Sequence, residues 1–508
     1  MIELNSVNSY LFYPTHKIYS MTIKRKLFLS IAVFLPVLFL VYLALNDWHI
    51  VPKVFRTYSG IAQKQPDTDT SVVASQYSKY CAGCHGQQMG TFVNHDWKFG
   101  KTKSAVFKAI KYGYPNTGMP GFEAAFSDRE IYELSNYMLT GIDKLKDQPA
   151  KKEKQSGIFY TEKMTIKTDT VAAGLDVPWC IAFLPNDELL VTDRGGKLYR
   201  VTKNKQLQLI SGVPKVVAEG QGGLFDVLLH PDFKNNQLIY LSYSKSESNN
   251  SDNATTAIMQ AKLEGNTLKD QHDIFVAKPY STTRHHYGGR MVFGRDGYLY
   301  FSVGERGNEK QNPQSLTNDL GKIHRIKDDG SIPADNPFVS NSNAKPSIFC
   351  YGNRNPQGLA VNPATGAIWE NEHGPMGGDE INLIEKGKNY GWPVITYGVN
   401  YNGTAITDKT AMAGMEQPLH FWVPSIAPSG LAFVEGNRYK GWEGDILSGS
   451  LKFNWLSRCH ADGNIITSEE SMLKEVGRLR DVKTGPDGYI YITVENPGYV
   501  LRLMPVTK

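Results

Sequence analysis

Hydrophobic and polar residues alternate in short runs from residue 161 to the C-terminus, and the runs end at turns rich in Gly, Pro, Asp and Asn. This period of two predicts β-strands. One sequence motif, made of a turn, a strand and a polar turn, recurs at intervals of roughly 45 to 75 residues. Its copies are "LPNDELLVTDRGGKLYRV" from Leu184, "HPDFKNNQLIYLSYS" from His230, "GRDGYLYFSVGERG" from Gly294, "NPATGAIWENEHGP" from Asn362, "NRYKGWEGDILSGSLKFNW" from Asn437 and "GPDGYIYITVENPGYVLRL" from Gly485. Six copies predict a mainly β fold, a six-bladed β-propeller over residues 161–508, because an array of β-sandwiches would need spacers that are not visible.

Residues 72–142 have a helical pattern instead. The segments "SAVFKAIKYG" and "SDREIYELSNYML" each place apolar side chains on one helical face, and the second opens with a capping box of Ser127 and Glu130. A small all-α domain is therefore predicted before the propeller. Residues 143–160, which are polar and rich in lysine, are predicted to be a linker.

The N-terminal region contains "LFLSIAVFLPVLFLVYLAL", residues 27–45, which carries no charge over 19 residues. That length is sufficient for a transmembrane helix, and the three basic residues before it place residues 1–26 in the cytoplasm. A cleaved signal peptide is the alternative, but it would be shorter and end in a small-x-small site, which "YLALNDW" does not provide. We therefore expect a retained anchor followed by a spacer over residues 46–71. Met21 is an alternative start that would keep this anchor.

The chain's 508 residues carry 55 Lys and Arg against 50 Asp and Glu. This near balance does not favour a nucleic-acid partner. The length requires two or three domains, in agreement with the two patterns described above. Both domains follow the anchor, so they are predicted to lie on the periplasmic or extracytoplasmic side of the cytoplasmic membrane.

Near the start of residues 72–142 stands "SKYCAGCHGQQMG", which contains a Cys-x-x-Cys-His motif formed by Cys81, Cys84 and His85. This is the pattern by which two thiols attach haem c covalently while the histidine becomes an axial ligand of the iron. A redox or zinc Cys-x-x-Cys would need a thioredoxin-like βαβ context or a second cysteine pair, and the sequence has neither. Export agrees with the haem motif, because c-type cytochromes mature outside the cytoplasmic membrane.

The sixth haem ligand is predicted to be Met119, which stands on the Pro/Gly loop "YPNTGMPGF". Met89 is too near His85 in the sequence to reach the opposite haem face, Met138 is expected in the helical core, and His95 is the remaining alternative. The whole segment resembles the small monohaem class I cytochromes c.

The polar turns of the β-rich repeats carry an unusual set of side chains. Five cations, a His/Glu pair and a Gly-Pro-x-x-x-Asp-Glu segment together indicate a site for a polyanion with metal assistance. The set comprises Gln221, His286, Arg290, Glu305, Arg354, Asn355, Asp379, Glu380, Lys452, Arg478 and Arg480.

From about Val171 to the C-terminus the chain resembles the soluble aldose sugar, glucose and sorbosone dehydrogenases that use pyrroloquinoline quinone (PQQ). The resemblance rests on "GQGGLFDVLLHPDF", "GGRMVFGRDGYLYFSVGERG", "YGNRNPQGLAVNP", "NEHGPMGGDEINLIEKGKNYGWP", "QPLHFWVPSIAPSG" and "RLRDVKTGPDG". It implies that Lys452, Arg478 and Arg480 bind the PQQ carboxylates and one quinone oxygen. It also implies that Arg354 and Asn355 lie at the reactive quinone carbonyl.

The same resemblance implies the proton-transfer residues. Counting back from Arg290 selects His286, rather than His285, as the catalytic base. Glu305 stands where the family has an acid that orients this histidine, and Gln221 matches the residue beside the substrate and the base. Either Asp or Glu can accept from the imidazole N–H and stabilise its protonated form.

Two calcium sites are implied as well. The carbonyls of Gly374 and Pro375 match the ligands of a Ca²⁺ that bridges to PQQ. Glu380 and the Tyr390 carbonyl match part of a structural Ca²⁺ site, and hard oxygen ligands on a tight turn suit this ion. The segment after Trp392 departs from the glucose-specific branch, so the remaining structural ligands are not assigned. Loop lengths favour the broad-specificity aldose branch.

These features predict a membrane-anchored enzyme that oxidises aldose sugars at C1 to lactones and passes electrons through its own haem to a respiratory cytochrome, oxidase or quinone. A tethered haem keeps the acceptor at high effective concentration. One alternative, a calcium-dependent propeller hydrolase or lactonase, gives the haem and the cations no role. A non-enzymatic haem module would not need the His/Glu/Arg set. The sequence is compatible with a homodimer.

Overall fold

The computed structural model describes residues 70–81, 85, 100–114, 119–147, 157–249, 251–307 and 310–506. The predicted anchor over residues 27–45 and the haem-attachment residue Cys84 lie outside these ranges. Within the described ranges, no helix is long and apolar enough to cross a membrane.

Twenty-five strands make up most of the described structure. They are β1 Ile158–Tyr160, β2 Thr165–Ala173, β3 Pro178–Phe183, β4 Leu189–Asp193, β5 Lys197–Val201, β6 Leu207–Ile210, β7 Leu224–Leu229, β8 Leu238–Ser246, β9 Ala254–Glu264, β10 Thr267–Val276, β11 Gly288–Phe293, β12 Leu299–Val303, β13 Lys322–Ile326, β14 Ile348–Tyr351, β15 Pro356–Val361, β16 Ile368–Glu372, β17 Asp379–Ile384, β18 His420–Trp422, β19 Pro428–Phe433, β20 Ile446–Ser450, β21 Trp455–Asp462, β22 Ile465–Met472, β23 Leu479–Thr484, β24 Ile490–Val494 and β25 Tyr499–Val506.

The strands form six antiparallel sheets, which are the blades of a β-propeller. Blades 1 to 5 are four-stranded meanders made of β3–β6, β7–β10, β11–β14, β15–β18 and β19–β22. Blade 6 joins β23–β25 to β2 and β1, so it has five strands. The pairing of β2 with β25 runs from Thr165 opposite Val506 to Ala173 opposite Tyr499 and closes the ring. The predicted six-bladed propeller is therefore confirmed.

Burial follows the position of each strand in its blade. Every residue of the second strands β4, β12, β16, β20 and β24 is buried, because blades pack on both faces. In the outer strand β22, by contrast, only Met472 is buried. The first strands of neighbouring blades contact one another around the central channel. Polar residues at the ends of the first and second strands are thus held by rigid neighbours.

The helical segment forms α1 Thr70–Tyr80, α2 Lys103–Tyr112 and α3 Asp128–Asp147, while the propeller contains the short helix α4 Phe233–Asn236 and a 3₁₀ turn, Asn312–Gln314. The predicted capping box is confirmed, because the Ser127 amide donates to Glu130 Oε2 at 2.8 Å and the Glu130 amide donates to Ser127 Oγ at 3.4 Å. The apolar faces of α2 and α3 form one buried cluster with Tyr77, Cys81 and Phe122.

Candidate active site

His286 and Glu305 form a buried pair at one end of blade 3. His286 Nδ1 lies 2.6 Å from Glu305 Oε1, and the side chains are 10% and 1% exposed. His286 precedes β11 with a left-handed φ of 54°. Its backbone amide donates to Gln221 Oε1 at 2.8 Å, so the loop before blade 2 fixes the position of the histidine. With Nδ1 bonded to the carboxylate, Nε2 is the ring atom that can exchange a proton with a substrate.

Burial changes the protonation of this pair. Burial and the nearby charge of Arg354 lower the pKa of His286 well below its usual value, so the imidazole is neutral at physiological pH. Burial raises the pKa of Glu305 to about 7. His285 is not bonded to Glu305, and its ring lies against the backbone of Gly307. The geometry of a general base is therefore found at His286.

Arg354 and Asn355 lie beside this pair. The Glu305 amide donates to the Arg354 carbonyl at 2.9 Å, and Asn355 Oδ1 accepts from the Gly288 amide at 3.1 Å. Arg354 Nη1 donates to the carbonyls of His373, at 2.9 Å, and Gly374. Arg354 Nε and Asn355 Nδ2 are buried and have no hydrogen-bond partner among the described residues. Unpaired buried donors are costly, so these two nitrogens fit a bound acceptor such as a quinone oxygen.

Two further cations share one carboxylate. Glu495 accepts from Arg478 Nε and from Arg480 Nε, both at 2.6 Å. Although burial opposes ionisation, Arg480 and Arg478 lower the pKa of Glu495 to about 2. Burial lowers the pKa of Arg480 to about 10. Lys452 is buried just after β20, and Arg478 Nη1 donates to the Leu451 carbonyl at 2.9 Å. The single glutamate leaves a net positive charge here, which suits the PQQ carboxylates.

Gln357 joins the two groups of polar residues. Its Nε2 donates to Asn355 Oδ1 at 3.2 Å, and its Oε1 accepts from Arg480 Nη1 at 3.4 Å. Arg290, one of the polar set picked out from the sequence, donates through Nε to the Gln357 carbonyl at 2.9 Å, but its guanidinium faces other carboxylates. Its Nη1 lies 3.0 Å from Asp481 Oδ1 and 3.8 Å from Asp226 Oδ1, so it neutralises buried carboxylates of the neighbouring first strands.

A group of buried carboxylates lies beside the turn of residues 374–378. Burial raises the pKa of Glu372 to about 7 and that of Glu380 to about 8, and it raises the pKa of Glu370 well above its usual value. Glu370 Oε2 has no hydrogen-bond partner among the described residues. Several buried carboxylates with unfilled acceptor sites are stabilised by a cation, and oxygen ligands suit Ca²⁺.

The predicted calcium ligands lie next to this carboxylate group. Gly374 and Glu380 line a small cavity together with Glu372, Tyr390 and Trp392. The Pro375 carbonyl belongs to the same turn and accepts from Ser425 Oγ at 3.0 Å. The residues present thus fit a cation, and they include two glutamates, Glu370 and Glu372, that the sequence analysis did not select.

In the helical domain the structure brings two of the predicted haem residues to one place. The His85 amide donates to the Cys81 carbonyl at 3.0 Å, as in a continuing helix. Cys81 is buried in the hydrophobic cluster, and Met119 packs against the same cluster. Met138 is buried within it, in agreement with a packing role. A buried cysteine and a methionine on one apolar cluster fit a haem pocket.

Comparison with known proteins identifies relatives of both parts. Residues 175–502 match the Glucose / Sorbosone dehydrogenase family model. Residues 69–138 match the model for Cytochrome C oxidase, cbb3-type, subunit III. Aldose sugar dehydrogenase YliI of Escherichia coli is 42% identical over 358 residues, which cover 69% of this chain and 96% of that protein.

Solved structures agree. The soluble aldose sugar dehydrogenase of Escherichia coli in its apo form is 41% identical, with a TM-score of 0.65, over 67% of this chain and 100% of that chain. The PQQ-bound aldose sugar dehydrogenase of Streptomyces coelicolor is 29% identical, with a TM-score of 0.56, over 67% of this chain and 97% of that chain. The similarity covers the propeller and the polar residues described above.

Proposed function

Because this chain belongs to the glucose/sorbosone dehydrogenase family of PQQ-dependent oxidoreductases and carries a cytochrome c domain, we propose that it oxidises aldose sugars at C1 to lactones and passes the electrons through its own haem c. We further propose that residues 27–45 anchor it in the cytoplasmic membrane, with both domains outside. The observation that carries the proposed reaction is the 2.6 Å contact of His286 with Glu305 beside Arg354.

Bound PQQ supplies an ortho-quinone that accepts hydride. The chain's own residues supply the proton transfer and the stabilisation of charge. His286 Nε2 takes the proton of the C1 hydroxyl, and the ionised Glu305 stabilises the imidazolium through Nδ1. Arg354 Nε and Asn355 Nδ2, which have no hydrogen-bond partner among the described residues, would donate to an oxygen of a bound quinone. Gln221 fixes the His286 backbone and lies beside the sugar.

Two electropositive features hold the cofactor in this proposal. Lys452, Arg478 and Arg480 bind its carboxylates, since one shared glutamate leaves them a net positive charge. The Gly374 and Pro375 carbonyls would bind a Ca²⁺ ion beside the cofactor. The structural Ca²⁺ is held by Glu380 and the Tyr390 carbonyl, with Glu370 and Glu372 nearby.

In the cytochrome c domain, Cys81 and Cys84 attach the haem, and His85 and Met119 bind its iron. Haem c accepts one electron at a time, so each oxidised sugar requires two transfers. A haem domain joined to the propeller by the short segment between α3 and β1 remains near the propeller at a high effective concentration. The final acceptor is a respiratory cytochrome, oxidase or quinone.

Reconstitution of the purified full-length apo-protein tests this function. Addition of PQQ, Ca²⁺ and glucose or another aldose is expected to reduce the haem, which visible absorbance follows directly. Omitting PQQ, or adding a chelator before PQQ, is expected to prevent the reduction. A lactone formed without any haem reduction would contradict internal electron transfer, and hydrolysis of a lactone with Ca²⁺ alone would support the hydrolase alternative.

The pKa of Glu305 predicts how turnover depends on pH. The rate is expected to fall as the pH is lowered through about 7, because protonated Glu305 no longer stabilises the imidazolium. His286 remains neutral over this range because burial lowers its pKa. The measurement is kcat with a dye acceptor between about pH 5 and 9. Glu305→Gln should lower kcat about tenfold and remove this pH dependence; an unchanged profile in that variant would show that another group titrates.

A further inference from the structure

The long connection between β17 and β18 reaches from the propeller to the cytochrome c domain. Its tip, residues 399–405, is named here the Tyr401 loop. Tyr401 packs against the hydrophobic cluster that contains Cys81 and against which Met119 also packs. The propeller thus contributes one aromatic side chain to the apolar core that adjoins the haem motif.

The Tyr401 loop is also bonded to the candidate active site. The Met376 amide donates to the Val399 carbonyl at 3.0 Å, and the Val399 amide donates to the Met376 carbonyl at 3.2 Å. Met376 lies in the turn that carries the predicted PQQ calcium ligands. Asn400 Oδ1 accepts from Lys310 Nζ at 3.2 Å, and Lys310 follows Glu305 by only a few residues. The Tyr401 loop is therefore hydrogen-bonded to the turn that contains Met376 and to the segment that follows Glu305.

We propose that the Tyr401 loop is a docking element that seats the cytochrome c domain beside the turn of residues 374–378 at the PQQ site. This inference rests on the proposed function, because the docked arrangement matters only if electrons pass between the two sites. Tyr401 is a positioning residue in this account, since it contacts the core around the haem motif and not the reacting atoms.

The linker makes such docking effective with few contacts. A covalent tether keeps two domains at high effective concentration, so a small apolar contact is sufficient to populate the docked state. Removing this partly buried aromatic ring is expected to reduce the ratio of docked to undocked protein about tenfold. The sugar must then enter beside the cytochrome c domain.

Tyr401→Ala in the full-length holoenzyme tests the proposal. Stopped-flow reduction of the haem by saturating sugar is expected to slow about tenfold, while dye-linked sugar oxidation is unchanged. Tyr401→Phe, which keeps the ring, and Met412→Ala, an exposed apolar residue in the same connection, serve as matched controls and should reduce haem at near the parent rate. Haem reduction by Tyr401→Ala at the parent rate would overturn the proposal.

A structural measurement on PQQ-free protein needs no turnover. In the parent protein, a lysine cross-linker should join Lys310 to lysines of the cytochrome c domain. These cross-links should be lost in Tyr401→Ala. The radius of gyration of that variant, measured by X-ray scattering, should be larger than that of the parent. Absence of these cross-links from the parent would overturn docking even if the variant fails to fold. Failure of the proposed function is distinguishable, because it would abolish dye-linked sugar oxidation in the parent and leave the cross-links in place.

Discussion

Replacing His286 with alanine is expected to lower kcat by about 10²–10⁴-fold while PQQ remains bound. Hydride can leave C1 of the sugar only as the C1 hydroxyl loses its proton, and the neutral His286 imidazole is the base placed for that transfer. The binding of PQQ should persist, because Lys452, Arg478 and Arg480 lie in blades 5 and 6, apart from the base. The measurements are kcat with a dye acceptor and a PQQ titration of each variant.

Two matched variants make this test specific. His286→Asn keeps a side-chain donor for Glu305, which lies 2.6 Å from the histidine, so it should lose activity without leaving the buried carboxylate unpaired. His285→Ala should change kcat far less, because that ring contacts Gly307 and not Glu305. A His286 variant that binds PQQ and turns over at near the parent rate would show that His286 only packs beneath its loop.

The blade number follows from the sequence because each blade repeats a local signal. Turn residues bound an alternating strand in every copy, and both depend on neighbours in the chain. Closure of the ring does not depend on neighbours. It pairs residues 165–173 with residues 499–506, and the short β1 adds a fifth strand to blade 6. Nothing in the local pattern of either segment indicates the other.

The candidate site likewise contains residues that the local sequence indicates and residues that only the folded structure reveals. Its loop histidine, amides and cations stand in polar turns, whereas Glu372 ends the buried strand β16 and Glu495 follows the buried strand β24. Their importance appears only when strand pairing within blades 4 and 6 brings the Arg354 amide and Arg480 to them. The sequence contained a signal for Glu495, because it follows the second strand of its blade much as Glu305 does. Arg290 was grouped with the site since a sequence does not show that Asp226 and Asp481 surround it in the channel.

Replacing both Cys81 and Cys84 with alanine is expected to remove covalent haem and abolish electron transfer from sugar to the chain's own cytochrome. Dye-linked oxidation by the propeller should remain within about twofold of the parent, because a ring closed by strands β2 and β25 forms its core without the helical domain. Haem staining after denaturing electrophoresis, together with dye-linked kcat, measures the two effects separately.

Cys459→Ala is the matched control, since this buried cysteine belongs to β21 of the propeller and its loss should leave the covalent haem intact. A soluble cytochrome c can be added to the double variant as an external electron acceptor. It should match the parent's rate of electron transfer only at about the millimolar effective concentration that the tether gives the parent's own haem. Loss of dye-linked activity in a folded double variant would mean that the propeller needs the haem domain for sugar oxidation itself, which contradicts two separable modules.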